Sequence, residues 1–349
     1  MINIRYGFAN LKDIKVHKNQ VEKEKTTTTE NVMIELEGKP YLPTTRFWRS
    51  FFNRYRISDS VFRYFSHEEV FQRISATIRA DDFRYCVEDR EGGASTLLAV
   101  SNPERTVIRS GTVETIVQSF GSLGTEYHEG FITSTHSPRS GEFCYKIGPD
   151  EFRNQYVIKT PIDGFGEPQI YLSLLRLICS NGAIGYTPAF RSEVRTGKEP
   201  EHAITRALNC FDNAKGYTLM AARFEAAQCS WASLHEIQRV YNQLIKLKFS
   251  NKEFGSTVLN RLYELTGRPQ ELYGLANLDQ LSEKRQRVLP AKCRVYDLLN
   301  FMTEIATHHL NHDQALRLHA LTGTFLSDDF DLEGSADQVP TFGDLFLAT

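Results

Sequence analysis

Glu304, His308 and His312 recur at i, i+4 and i+8, the residue types and spacing of a metal site. On one continuous helix over residues 294–320 they would share a face, and a His pair four apart can hold zinc or another divalent ion. A protease-type zinc helix needs His-Glu-x-x-His, which this stretch does not contain. No Cys or His elsewhere stands at metal-ligand spacing, so the reading is a helix surface with no metal and no cofactor. Cys179 could act as a nucleophile only with a distant His, and a Cys inside an apolar run is ordinarily inert. There is no phosphate-cradling P-loop and no Gly-x-Ser-x-Gly elbow, and Gly164-x-Gly166 lacks the third glycine of a dinucleotide turn. Asp328-Asp329-Phe330-Asp331-Leu332-Glu333 lacks the register of a calcium loop, because Gly334 comes too late, and it reads as a solvated acidic tail. An enzyme is therefore not the expectation.

The remaining constellation is cationic and aromatic. Between Arg46 and Arg84 stand eight Arg and five acidic residues, interleaved with Phe47, Trp48, Phe51, Phe52, Tyr55, Phe62, Tyr64 and Phe65. Arg beside exposed rings is how single-stranded nucleic acid is gripped. The plainer alternative has the rings facing the core and the Arg facing water. A helix over Arg46–Tyr55 would put Arg46, Arg49 and Asn53 on one face, and Phe47, Phe51 and Arg54 on another. Arg56 and Arg63 follow beside that first face, and the polar stretch 191–200 adds Arg191 and Arg195. These six Arg are the candidate nucleic-acid contacts. Bulk charge cannot drive such binding, since 41 basic residues against 43 acidic leave the chain at −2.

The elements that would position these residues follow from pattern. Ile170–Cys179 is the densest apolar run, broken only by Ser173 and Arg176, and it reads as a buried strand or a short core helix. As a strand, Asn181-Gly182 would make a tight hairpin turn, with Ala183–Phe190 returning beside it. As a helix, Gly182 would cap it. The strand is preferred, because Gln155–Ile162 just upstream is a second run that ends in Asp163-Gly164-Phe165-Gly166. Arg176 must pair with carboxylates or turn carbonyls, or meet an anionic ligand beside the turn.

Val32, Ile34 and Leu36 alternate with Met33, Glu35 and Glu37 as in a half-buried strand. Residues 46–80 read as helical, with Ser66 and Glu69 as a capping box. Phe83–Val87, Thr96–Val100 and Tyr127–Ser134 read as strands, with Glu91-Gly92-Gly93 a hairpin turn and Thr112 the cap of a helix that Gly121 stops. Beyond 200 the patterns are helical, over 201–213, 216–229, 231–248, 252–265, 278–287 and 294–320. The fold class expected is α+β, with an N-terminal mixed half carrying an antiparallel sheet and a C-terminal helical half. The expected divisions are 1–190, 191–326 and an acidic C-terminal tail over 327–349, whose Phe342, Leu345 and Phe346 could dock on the body or a partner.

The length fits one large domain or two ordinary ones, and 41 % apolar with 24 % charged residues is the composition of a globular protein. Six Cys without a Cys-x-x-Cys pair suggest reduced thiols. No signal-peptide core and no membrane-length apolar stretch appear, so a cytoplasmic protein without a membrane partner is expected.

Arg176–Gly182, Arg-Leu-Ile-Cys-Ser-Asn-Gly, resembles the signature of a phage- and plasmid-borne family known as DUF932: Arg, two aliphatic residues, Cys, Thr or Ser, then Asn-Gly. A strand followed by Gly38-Lys39-Pro40, an Arg-aromatic helix after it, and Tyr296–His309 near the end resemble the same family over residues 30–315. The family often carries Arg-His soon after the signature, whereas here Arg191 and Arg195 have no adjacent His. The resemblance implies a mobile-element protein in a bacterial host, without implying a reaction. From its place in the apolar run, the segment with Arg176, Cys179, Asn181 and Gly182 is expected to be a structural motif packing the junction of the α+β half and the helical half. Two function classes follow: an accessory protein that binds single-stranded nucleic acid, or a self-assembling homo-oligomeric structural component.

Overall fold

The computed structural model describes residues 3–21, 29–78, 81–89, 94–139, 143–148, 150–176, 182–184, 191–211, 213–247, 249 and 252–332. In chain order the first elements are β1 (Ile4–Asn10), β2 (Lys15–Val21), β3 (Thr29–Leu36), β4 (Lys39–Pro43), α1 (Thr45–Tyr55), α2 (His67–Thr77), β5 (Asp82–Glu88), β6 (Thr96–Ser101) and α3 (Ser110–Ser119). Strands follow: β7 (Gly124–His128), β8 (Phe131–His136), β9 (Cys144–Ile147), β10 (Asp150–Pro161), β11 (Gln169–Arg176), β12 (Gly182–Ile184) and β13 (Arg191–Glu193). The rest is mostly helical: α4 (Pro200–Cys210), α5 (Ala214–Cys229), β14 (Trp231–Ser233), α6 (Leu234–Lys246), α7 (Lys252–Thr266), α8 (Pro269–Leu272), α9 (Glu283–Gln286), β15 (Pro290–Arg294), α10 (Val295–His308) and α11 (His312–Ser327). The fold is α+β, with an antiparallel-rich sheet region first and a helical region after it. No helix among the described residues is long and apolar enough to cross a membrane.

The chain forms two compact units. One, the sheet unit, holds residues 1–136, 158–169 and 193–210; the other, the helical unit, holds 137–157, 170–192 and 211–349. The division is interleaved, where the composition change near residue 191 suggests a single cut.

In the sheet unit, six strands run in the order β1-β5-β6-β4-β3-β2. All pairs for which the register is defined are antiparallel except β4 on β6, where Leu42 lies opposite Thr96. Alternation along β3 buries Ile34 and Leu36, and the sheet's inner side meets Phe47 and Phe51 of α1 and Phe71 of α2. Each such side chain contributes about 1.5–3 kcal/mol on burial. A further sheet runs β12-β11-β10-β8-β7, with β9 on β10 and β13 on β11. In the helical unit, α5, α6, α7, α10 and α11 enclose a core that includes Phe224, Ile237, Val240, Leu262, Leu299, Met302 and Leu318.

Several elements differ from the sequence expectation. Tyr127–Ser134 is a hairpin and not one strand, because Glu129 (φ 37°) and Gly130 (φ 83°) turn the chain between β7 and β8. The helix expected over 294–320 is two helices. Asn311 accepts from the Gln314 N–H at 3.0 Å while the Gln314 side chain reaches back to the Asn311 N–H, so a new helix starts there. The pattern over 231–248 opens with β14, which pairs with β15, before Ser233 caps α6. The α3 helix starts at Ser110, and its cap residue is Arg109, three positions before the expected Thr112; Gly121 (φ 67°) follows its end. Over 278–287 there are only a short 3-10 turn and α9.

Ile170–Cys179 is a strand as far as Arg176. Gly182 lies in β12 opposite Leu175, so Asn181-Gly182 is not a two-residue hairpin turn; that geometry would put Gly182 in the loop and not in the ladder. Cys179 and Asn181 fall outside the described residues, as do Glu91-Gly92-Gly93 and the Phe342, Leu345 and Phe346 docking residues.

Candidate nucleic-acid interface

Most of the Arg-aromatic segment is arranged by α1, the 3-10 turn Asp59–Arg63 and α2, all in the sheet unit. The Thr44 hydroxyl caps α1 by accepting from the Phe47 N–H at 3.1 Å. Arg56, in the left-handed region at φ 53°, ends it. The Ser66 hydroxyl caps α2 by accepting from the Glu69 N–H at 3.2 Å, which is one half of the expected capping box; the Glu69 carboxylate pairs with Arg73 instead of closing the other half. Phe47 and Phe51 point into the core. Trp48, Phe52, Phe62 and His67 form a half-buried layer outside it: Trp48 stacks on Phe52 at 5.9 Å and meets Phe62 edge-on at 5.3 Å, and Phe62 stacks on His67 at 4.1 Å. Tyr64 stands out from this layer with 81 % of its surface exposed.

Burial and pairing sort the arginines. Arg46 is diverted from the expected face. Its guanidinium makes a two-pronged contact with Asp163, also bonds the Phe165 carbonyl, and lies 3.7 Å over the Phe131 ring. Asp163 is fully buried, and desolvation raises its carboxyl above the ordinary range while Arg46 pulls it back down. Arg46 therefore neutralises a core carboxylate and does not reach out to a phosphate. Arg54 pairs with Asp81 at 2.6 Å, Arg73 with Glu69 at 2.8 Å while covering Phe65, and Arg84 bonds the carbonyls of Pro103 and Arg105.

Arg49, Arg56 and Arg63 are exposed and meet no protein partner among the described residues. On α1, Arg49 and Phe52 are three apart and so neighbours on one helix face, and Arg56 follows at the helix end. Arg63 sits immediately before Tyr64. Of the acidic groups in the segment, Glu69 and Asp81 pair with Arg73 and Arg54 and Asp82 accepts from Asn10, while Asp59 and Glu68 lower the local potential without pairing with these three. Arg195 is exposed on a loop of the same unit, whereas Arg191 belongs to the helical unit and interacts with Tyr171.

The signature residue Arg176 is structural in its contacts. Its guanidinium donates to Asp150 at 2.6 Å, and the Tyr296 hydroxyl donates to the other oxygen of that carboxylate. Asp150 thus ties the Arg176 end of β11 to the start of α10. A cleft of about 450 Å³ beside them is lined by Arg176, Arg261, Glu264, Asp297, Asn300 and Glu304. Arg261 pairs with Glu304 at 2.9 Å, so Glu304 is committed to α7. His308 is the last residue of α10 and His312 the first of α11, and the continuous face needed to align Glu304, His308 and His312 does not exist.

Sequence reading missed Asp163 and Asp150, the two buried carboxylates that organise these arginines. The Asp163-Gly164-Phe165-Gly166 turn was visible, with both glycines at positive φ, but nothing local marks its carboxylate as the partner of a residue 117 positions earlier. No family model, no curated protein and no solved structure matches the chain.

Proposed function

We propose that this protein is a non-enzymatic accessory factor that grips single-stranded nucleic acid weakly through Arg49, Arg56, Arg63 and Tyr64. The observation that carries the reading is the coincidence of three guanidinium groups without protein partners and one outstanding ring on a single short stretch. Cations on such a stretch track the backbone while the ring stacks on a base. The family resemblance adds the setting, a phage or plasmid product in the cytoplasm of a bacterial host. Arg195 is a secondary candidate on the same unit, and Arg46 is withdrawn from the contact set.

Binding of a labelled single-stranded oligonucleotide, measured by anisotropy across a salt series, tests this. Each phosphate contact contributes about 0.7 to the slope of log affinity against log salt. The triple substitution R49A/R56A/R63A should therefore flatten the slope by about 2. Tyr64→Ala should cost about 1–3 kcal/mol and leave the slope in place, because stacking releases no counterions. Absence of wild-type binding at about 50 mM salt, where phosphate contacts are strong, would end the reading. A self-assembling structural component, scored by sizing chromatography, would then take its place.

A further inference from the structure

The acidic run after α11 does not behave as a solvated tail. Asp331 is buried at its side chain, where it accepts from the Ser233 hydroxyl at 2.6 Å and from Arg287 at 2.6 Å. Asp328 meets Arg239 at 3.4 Å and offers its carbonyl to Arg223, which also donates to the Leu326 carbonyl at 3.1 Å. The same Arg223 guanidinium lies 3.6 Å from the Asp329 carboxylate and 4.3 Å over the Phe330 ring. Arg223 comes from α5, Arg239 from α6, and Arg287 follows α9 directly. Three elements of the helical unit thus each aim one guanidinium at a segment of four residues. Phe325 and Leu326 already bury the end of α11, so that helix does not depend on the segment to stay in place.

We propose that Asp328–Asp331 is a displaceable strap over a second nucleic-acid surface, formed by Arg223, Arg239 and Arg287 on the helical unit, and that it occupies this surface in place of a single strand. The inference shares its ligand class with the reading above but none of its residues. The strap carries in miniature what a single strand offers a protein. Its carboxylates meet guanidinium groups as phosphates do, and its ring lies under an arginine as a base does. Its charge has one sign only, since residues 327–349 hold six acidic residues and no basic one.

The strength of these contacts fits a strap that can be exchanged. The Asp328–Arg239 pair is half exposed on its acidic side, and Arg287 is 44 % exposed. Pairs of that kind are screened by salt and favour closure by about fivefold each at most. A competing polyanion can therefore replace them. With the strap away, Arg223 and Arg239 meet no other carboxylate among the described residues, while Arg287 keeps Glu283 at 2.8 Å. The opened surface is thus net cationic. While the strap is closed, apparent affinity at this surface falls in proportion to the fraction of molecules that are open.

Anisotropy of a labelled oligothymidylate with the full chain tests the strap, in an R49A/R56A/R63A background so that the sheet-unit contacts drop out. Asp328→Asn/Asp331→Asn releases Arg239 and Arg287 and should tighten binding by about three- to tenfold over that background. It should also steepen the slope of log affinity against log salt by about 1.4, two phosphate contacts at about 0.7 each. Phe330→Ala frees Arg223 without changing charge and should tighten binding by about two- to fivefold. Adding R239A/R287A should cancel the gain of the Asn pair. Glu151→Gln/Asp279→Asn makes the same change of charge at exposed positions of the helical unit away from the strap and should give none of it. No gain from the Asn pair, a gain that survives R239A/R287A, or an equal gain from Glu151→Gln/Asp279→Asn would overturn the proposal. So would binding of an Asp-Asp-Phe-Asp peptide by the Asn pair without binding of the oligonucleotide, which would assign the surface to a protein partner. Should circular dichroism show that the Asn pair is unfolded, Phe330→Ala decides, and an unchanged affinity there overturns the strap equally. Absence of oligonucleotide binding by the wild type ends the sheet-unit reading alone, because the gain is measured without its arginines.

Discussion

Arg46→Ala should cost the sheet unit about 3–5 kcal/mol, the loss typical of removing one partner of a buried ion pair. The size follows from what is left behind. Asp163 is fully buried, and Arg46 supplies both prongs of its ion pair, so the substitution strands a carboxylate in the core. The guanidinium also covers Phe131, and its loss removes that contact as well. The pH dependence has a definite sign. Burial already raises the folded-state Asp163 carboxyl above 3.8, and without Arg46 to oppose it the value climbs further. An acid whose folded pKa is raised takes up a proton on folding, so the variant gains stability as pH falls toward 3.8. The deficit should thus be smaller at pH 5 than at pH 8. Urea melts read through tryptophan fluorescence give the measurement: the chain has two Trp, Trp48 in the sheet unit and Trp231 in the helical unit, and replacing either with Phe isolates the other's signal. A deficit under about 1 kcal/mol, or one that grows in acid, would contradict the assignment of Arg46 to the core.

Asp150→Ala should be comparably damaging to the helical unit, by about 3–5 kcal/mol. Asp150 is 3 % exposed, and its two oxygens serve the Arg176 guanidinium and the Tyr296 hydroxyl. Alanine leaves both donors facing the space the carboxylate occupied. Asp150→Asn should lose less, because the amide oxygen can still accept one of the two bonds. The order Ala worse than Asn, read on Trp231, separates loss of hydrogen bonds from loss of charge. If both substitutions are silent, Asp150 does not tie the strand to α10.

What could be read from the residues alone divides along the range of the interaction. Local patterns were legible. The alternation of Val32, Ile34 and Leu36 gave β3, the spacing of Ser66 and Glu69 gave the start of α2, and the apolar Ile170–Arg176 segment gave a strand buried on both faces. The helix break at residues 309–311 was missed although Asn311 and Gln314 carry a capping-box signal, because the apolar period runs on across it. The β7–β8 turn was missed because a Glu-Gly pair lacks the Asn or Asp that ordinarily marks such turns. The candidate interface was legible as a segment but not as a surface. Helical spacing put Arg46 beside Arg49, and only the folded chain shows that Asp163 claims one of them and leaves the other to solvent. A pairing between residues that far apart leaves no periodic trace in either neighbourhood.

The interleaved composition of the two units bears on how the chain can be made. Each unit takes three separate segments of the chain, and the sheet unit needs residues 193–210 to complete itself. A ribosome extends a chain at about 5–20 residues per second and normally lets an N-terminal domain fold while the rest is still being added. Here β1 to β8 and their helices emerge first, yet Asp163, the partner of Arg46, and α4, which belongs to the same unit, appear only later. The nascent chain must hold an incomplete sheet with an unneutralised Arg46 until then. Holding of the emerging N-terminal half by a chaperone, and insolubility of any fragment ending near residue 136, are the corresponding expectations for its biosynthesis.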